Sequence, residues 1–72
     1  MSNEHISNEE VEQDIRDTEA EIVTMEREIK GFELLRDRMS MMRASARRTG
    51  IKERKEFISK LRALLEDRKS KA

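Results

Sequence analysis

Residues 7–32 read SNEEVEQDIRDTEAEIVTMEREIKGF, and this stretch decides the fold class. Ser7 stands three residues before Glu10, the spacing of a capping box. Ile6 and Val11 flank that box at the two positions that close a hydrophobic staple. Glu9 and Glu10 follow in the first turn, where negative charge suits the helix dipole. The apolar side chains then recur at Val11, Ile15, Thr18, Ile22, Met25, Ile29 and Phe32, with Thr18 the one polar member. Gaps alternating between four and three are the heptad signature of a helix laid along a partner helix. Ile15, Ile22 and Ile29 take the a positions; Val11, Thr18, Met25 and Phe32 take d.

Beyond Phe32 the seam shifts. A strict heptad calls for Arg36 next, whereas the apolar residues are Leu35, Met39, Met42 and Ala46. The short step reads as a stammer, which overwinds a coiled coil locally. Gly31 lies beside it. With no proline or cap residue directly after it, one helix is expected to run through Gly31; a kink there is the alternative. Arg47-Arg48-Thr49-Gly50 reads as a helix end, with cations in the last turn and a glycine for the left-handed cap. A second helix follows, with Ile51, Phe57, Ile58, Leu61, Leu64 and Leu65 along a broad stripe.

The expectation is therefore an all-α chain, a coiled-coil-like hairpin of one long and one short helix. Its parts are an acidic flexible tail over 1–6, a long helix over 7–48 and a turn at 49–50. A short helix over 51–68 and a basic tail over 69–72 complete it. At 1.5 Å per residue the helices span roughly 60 and 30 Å. The short helix then covers only the far half of the long one, and Leu35, Met39, Met42, Phe57, Ile58, Leu61 and Leu65 form the core inside the chain. The first half of the seam is left without a partner, so Val11, Ile15, Ile22, Met25, Ile29 and Phe32 are expected at an oligomer or partner interface.

Charge bears on the same point. The 72 residues carry no net charge, yet residues 1–28 hold ten acidic and two basic side chains, and residues 29–72 six acidic and fourteen basic. On the expected boundaries an intrachain hairpin would set basic against basic. An antiparallel dimer or higher oligomer instead lays the acidic half of one copy on the basic half of another.

Catalytic chemistry finds little to work with. There is no cysteine or tyrosine and one histidine, His5, so neither a metal site nor a nucleophile–base pair is expected, and no cofactor. No glycine-rich phosphate loop and no calcium-binding loop spacing occur. Met1 to Glu10 resembles neither a signal peptide nor a transit peptide, and no apolar stretch nears the ~20 residues of a membrane span. The expected compartment is the cytoplasm, with no membrane partner.

Two features carry binding chemistry. Arg43, Arg47, Arg48, Lys52, Arg54 and Lys55 stand against the single acid Glu53, a candidate anion or nucleic-acid contact that lacks aromatic residues for base stacking. Met39, Met41 and Met42 form the second; Met41 lies off the core stripe and is expected to make a surface contact. The sequence thus reads as a non-enzymatic protein–protein interaction module, an adaptor, inhibitor or assembly factor that self-associates and then meets a target protein. Chains of this size include virus-encoded regulators. The alternative is a nucleic-acid-binding accessory protein using the basic residues 43–55.

Overall fold

The computed structural model describes residues 6–71. Residues 1–5, with His5 and nearly all of the expected acidic tail, lie outside the described residues, as does Ala72. Among the described residues there are two helices and no strand: α1, Asn8–Leu35, and α2, Arg38–Lys71. They pack against each other as an antiparallel hairpin, a rod 52 × 19 × 17 Å.

α1 begins where the capping box places it. Ser7 is extended (φ −71°, ψ 156°), and its Oγ accepts the Glu10 N–H at 3.1 Å. That bond satisfies one of the amides a helix start leaves unpaired. α1 continues through Gly31, where an added Cβ would meet nothing within 4 Å, so the glycine sits on an open face.

The turn is not where the sequence puts it. α1 stops at Leu35, thirteen residues short of the expected end, and Arg36 takes the left-handed conformation at φ 55°. The seam slip after Phe32 is therefore the end of a helix rather than a stammer. Asp37 then caps α2, accepting the Ser40 N–H at 2.7 Å and the Ser40 hydroxyl at 2.9 Å. α2 runs unbroken through the expected turn at 49–50 and keeps Lys69 to Lys71 helical. Arg68, Lys69 and Lys71 in its last turn suit the dipole there.

Moving the turn makes the helices nearly equal, 28 and 34 residues, and α2 covers the whole of α1. The inward positions of α2 are Ser40, Ala44, Arg47, Ile51, Arg54, Ile58, Leu61, Leu65 and Arg68, each buried or half-buried. Their gaps alternate four and three, the same heptad as α1. The core is one layer: Val11, Ile15, Ile22 and Ile29 against Ala44, Ile51 and Ile58, with Met25, Phe32, Leu61, Leu64 and Leu65 packed around it. Gly50 is a packing position rather than a cap. A Cβ there would lie 2.6 Å from the Met25 methyl, so the missing side chain makes room for that methionine.

The seam residues expected at an interface between molecules are thus core residues of one chain. Of the expected intrachain core, Ile58, Leu61 and Leu65 pack inward, whereas Leu35, Met39, Met42 and Phe57 are exposed. The correction has one cause. A turn at 36–37 instead of 49–50 changes the facing partner of every residue in α2.

Two substitutions check this placement. Arg36→Gly relieves the left-handed strain of a Cβ-bearing residue and is expected to raise stability by up to about 1 kcal/mol in urea titration; destabilisation would put the turn elsewhere. Ile22→Ala is expected to cost about 2–4 kcal/mol in the isolated chain. An unchanged midpoint would mean that Ile22 is not part of an intrachain core.

Candidate interaction surfaces

The interhelical electrostatics follow from the composition of each helix. α1 holds ten acidic and three basic side chains, a net of −7; α2 holds four acidic and twelve basic, a net of +8. Antiparallel packing lays one on the other inside a single chain, so the charge polarity that the sequence assigns to a pair of chains is already satisfied in the hairpin.

The pairing is regular along one flank. Glu12, Glu19, Glu26 and Glu33 recur every seven residues on α1, and Arg48, Lys55, Arg62 and Lys69 every seven on α2. Two rungs of this ladder close at 3.0 Å, Glu19 to Arg62, and 2.7 Å, Glu33 to Arg48. Glu26 with Lys55 and Glu12 with Lys69 fall in the same register. Toward the other flank, Arg47 and Arg54 lay their stems in the seam and reach Glu28 at 3.4 Å and Glu21 at 2.7 Å. Each exposed pair contributes well under ~1 kcal/mol; their sum fixes register more than it adds stability.

This arrangement disperses the expected anion site. Arg47, Arg48 and Arg54 are engaged with carboxylates of α1. Lys52 and Lys55 line one hollow with Arg48 and Ile51, and Arg43 sits near Asp37, whose carboxylate feels its charge. The six side chains share no single face.

The closed end of the hairpin brings together what the sequence left scattered. Ser40 and Ala44, both small and both buried, occupy the first two inward positions of α2. Larger neighbours are left outside. Leu34 is 83% exposed, Leu35 67%, Met42 60%, Met39 59% and Met41 45%, five large apolar side chains within nine residues. Met41 is the one whose exposure the sequence foretells. Lys30, Arg36, Arg38 and Arg43 stand among them. The acids nearby are occupied, Glu33 by Arg48 and Asp37 by Ser40, so the tip is apolar with a cationic border.

A second apolar feature lies toward the open end. Val11, Phe57, Leu61 and Leu64 line a groove between the helices, together with Ile6, Asp14 and Lys60. Phe57 is 46% exposed. Sequence reasoning placed Phe57 in the core as part of a broad apolar stripe; the heptad running through Arg54, Ile58 and Leu61 puts it on the flank.

Among the described residues no group of three or more His, Cys, Asp or Glu converges, and no helix is long and apolar enough to cross a membrane. No protein-family model matches the chain, and no curated protein or solved structure matches it either.

The cap sets an acid limit on the tip. Hydrogen bonds from the Ser40 amide and hydroxyl hold the Asp37 carboxyl below its ordinary value. A depressed carboxyl stabilises the fold fully above the unfolded value, near 3.8, and loses that contribution as pH falls through the folded value. Asp37→Asn keeps a capping side chain. It is expected to flatten the loss of thermal stability below about pH 4; an unchanged acid arm would assign that arm to other carboxylates.

Proposed function

We propose that this chain is a small, non-enzymatic protein–protein interaction module, an adaptor, inhibitor or assembly factor, that docks on a target protein through the closed tip of its hairpin. The observation that carries this reading is the exposure of Leu34, Leu35, Met39, Met41 and Met42, five large apolar side chains at the closed end of the rod. Contiguous exposed apolar side chains mark interaction surfaces. Methionine is suited to such a role because its flexible thioether adapts to an irregular partner.

The seam is not the docking surface, because α2 already covers it. Of the basic residues of 43–55, Arg47, Arg48 and Arg54 are paired with carboxylates of α1, which favours the apolar tip over a phosphate-binding face as the docking surface. The cations around the tip favour a target whose apolar pocket is rimmed by carboxylates.

The test compares the parent with a Leu34→Ser, Leu35→Ser, Met42→Gln variant as crosslinking baits in extracts of the encoding organism. The variant is expected to keep its helicity and melting behaviour and to lose the protein that the parent captures, by at least tenfold. Equal capture by both baits would sink the tip as docking surface. Capture of nucleic acid that weakens steeply with salt would favour a phosphate-binding function instead.

A further inference from the structure

The two long flanks of the rod differ in kind. One carries the ladder of Glu12, Glu19, Glu26 and Glu33 with Arg48, Lys55, Arg62 and Lys69, two rungs of which close. On the other, Arg47 and Arg54 reach Glu28 and Glu21 from the seam, and between Arg43 and Lys71 the outer positions of α2 are the uncharged Gly50, Phe57 and Leu64. There the groove lined by Val11, Phe57, Leu61 and Leu64 opens to solvent. A single-layer, two-helix core is small, and hairpins of this size gain most from covering one more apolar surface.

We infer that this flank is covered by a second copy of the chain, forming a four-helix dimer whose two-fold axis runs parallel to the rod. Charge selects both the occupant and the axis. A two-fold axis lying in the interface and perpendicular to the rod sets α1 on α1, −7 against −7, and α2 on α2, +8 against +8. An axis along the rod sets α1 of each copy on α2 of the other. Acidic and basic helices then alternate around the bundle, so each helix has two neighbours of opposite sign. Asp14 and Lys60 line one groove, so in this arrangement Asp14 of each copy faces the partner's Lys60. Phe57 of each copy fills the groove beside the other. The interface is self-complementary, as two-fold contacts must be. A consequence is that both closed tips emerge at the same end, which doubles the apolar docking surface.

The experiment is sedimentation equilibrium of the full chain, with helicity checked for every variant. The parent is expected at twice the 8.5 kDa chain mass, and Phe57→Glu to weaken the dimer at least tenfold. Asp14→Lys alone and Lys60→Glu alone each set like charges across the groove, and each should dissociate. Their equimolar mixture should form a heterodimer, because every contact across the interface then joins opposite charges. That recovery separates a contact between chains from one within a chain, where mixing changes nothing. Spin labels on Arg38→Cys read the axis. A short separation between labels supports tips at one end; a separation of about one 52 Å rod length or more overturns it. A parent that stays monomeric at millimolar concentration, a dimer indifferent to Phe57→Glu, or a mixture no tighter than its components would each overturn the inference.

Discussion

The two-residue turn at Arg36 and Asp37 sets the register on which every other contact depends. Arg36 reverses the chain by taking a left-handed conformation that a residue with a Cβ adopts at a cost. Asp37 fixes the new direction by bonding the Ser40 amide and hydroxyl at once. Ser40 is thereby committed to the seam, and the positions of Ala44, Arg47, Ile51 and Ile58 follow at heptad spacing. The same bonds draw Ser40 and Ala44, rather than larger residues, into the closed end. Those two small side chains are buried there, and the large side chains of Leu34, Leu35, Met39 and Met42 are left exposed.

Once the register is set, charge and apolar packing act in concert. The buried layer is thin and α2 contributes arginines to it, at Arg47 and Arg54. Those positions work because each arginine has an acid of α1 within reach. The stem covers the seam while the head group meets Glu28 or Glu21. Arg54 also donates to the Gly50 carbonyl at 3.2 Å, at the point where the absent side chain of Gly50 admits Met25. The basic character of α2 is thus part of how this hairpin closes, and the acidic character of α1 is its counterpart.

The sequence showed the helical class, the start of α1 at Ser7 and the inward face of α1 from Val11 to Phe32, because each rests on local spacing. It also showed the segregation of charge, which the structure pairs across the two helices of one chain. The turn was hidden for two local reasons. Leu35, Met39 and Met42 continue at near-helical spacing across it, so the end of α1 resembled a shifted seam. Arg47-Arg48-Thr49-Gly50 has the composition of a helix terminus, although its arginines serve interhelical pairs and its glycine serves packing. The signal that marked the turn was Asp37 three residues before Ser40, a cap pattern without a glycine beside it. The apolar tip was invisible for the same reason: Leu35, Met39 and Met42 look like core residues until the turn is placed among them.

The exposed apolar side chains at the tip contribute nothing to the turn. Its geometry comes from the backbone of Arg36 and from Asp37 with Ser40. Polar residues at positions 34, 35, 39, 41 and 42 would leave all of those interactions in place and would improve solubility. The charged ladder, by contrast, is tied to the fold, since each cation of α2 on that flank sits in register with an acid of α1. The surface therefore separates into a part explained by folding and a part that folding leaves unused. The unused part is concentrated at the closed end and along the Phe57 flank. Apolar area kept at two specific places, on a chain that is 44% charged, is the physical mark of contacts made with another molecule.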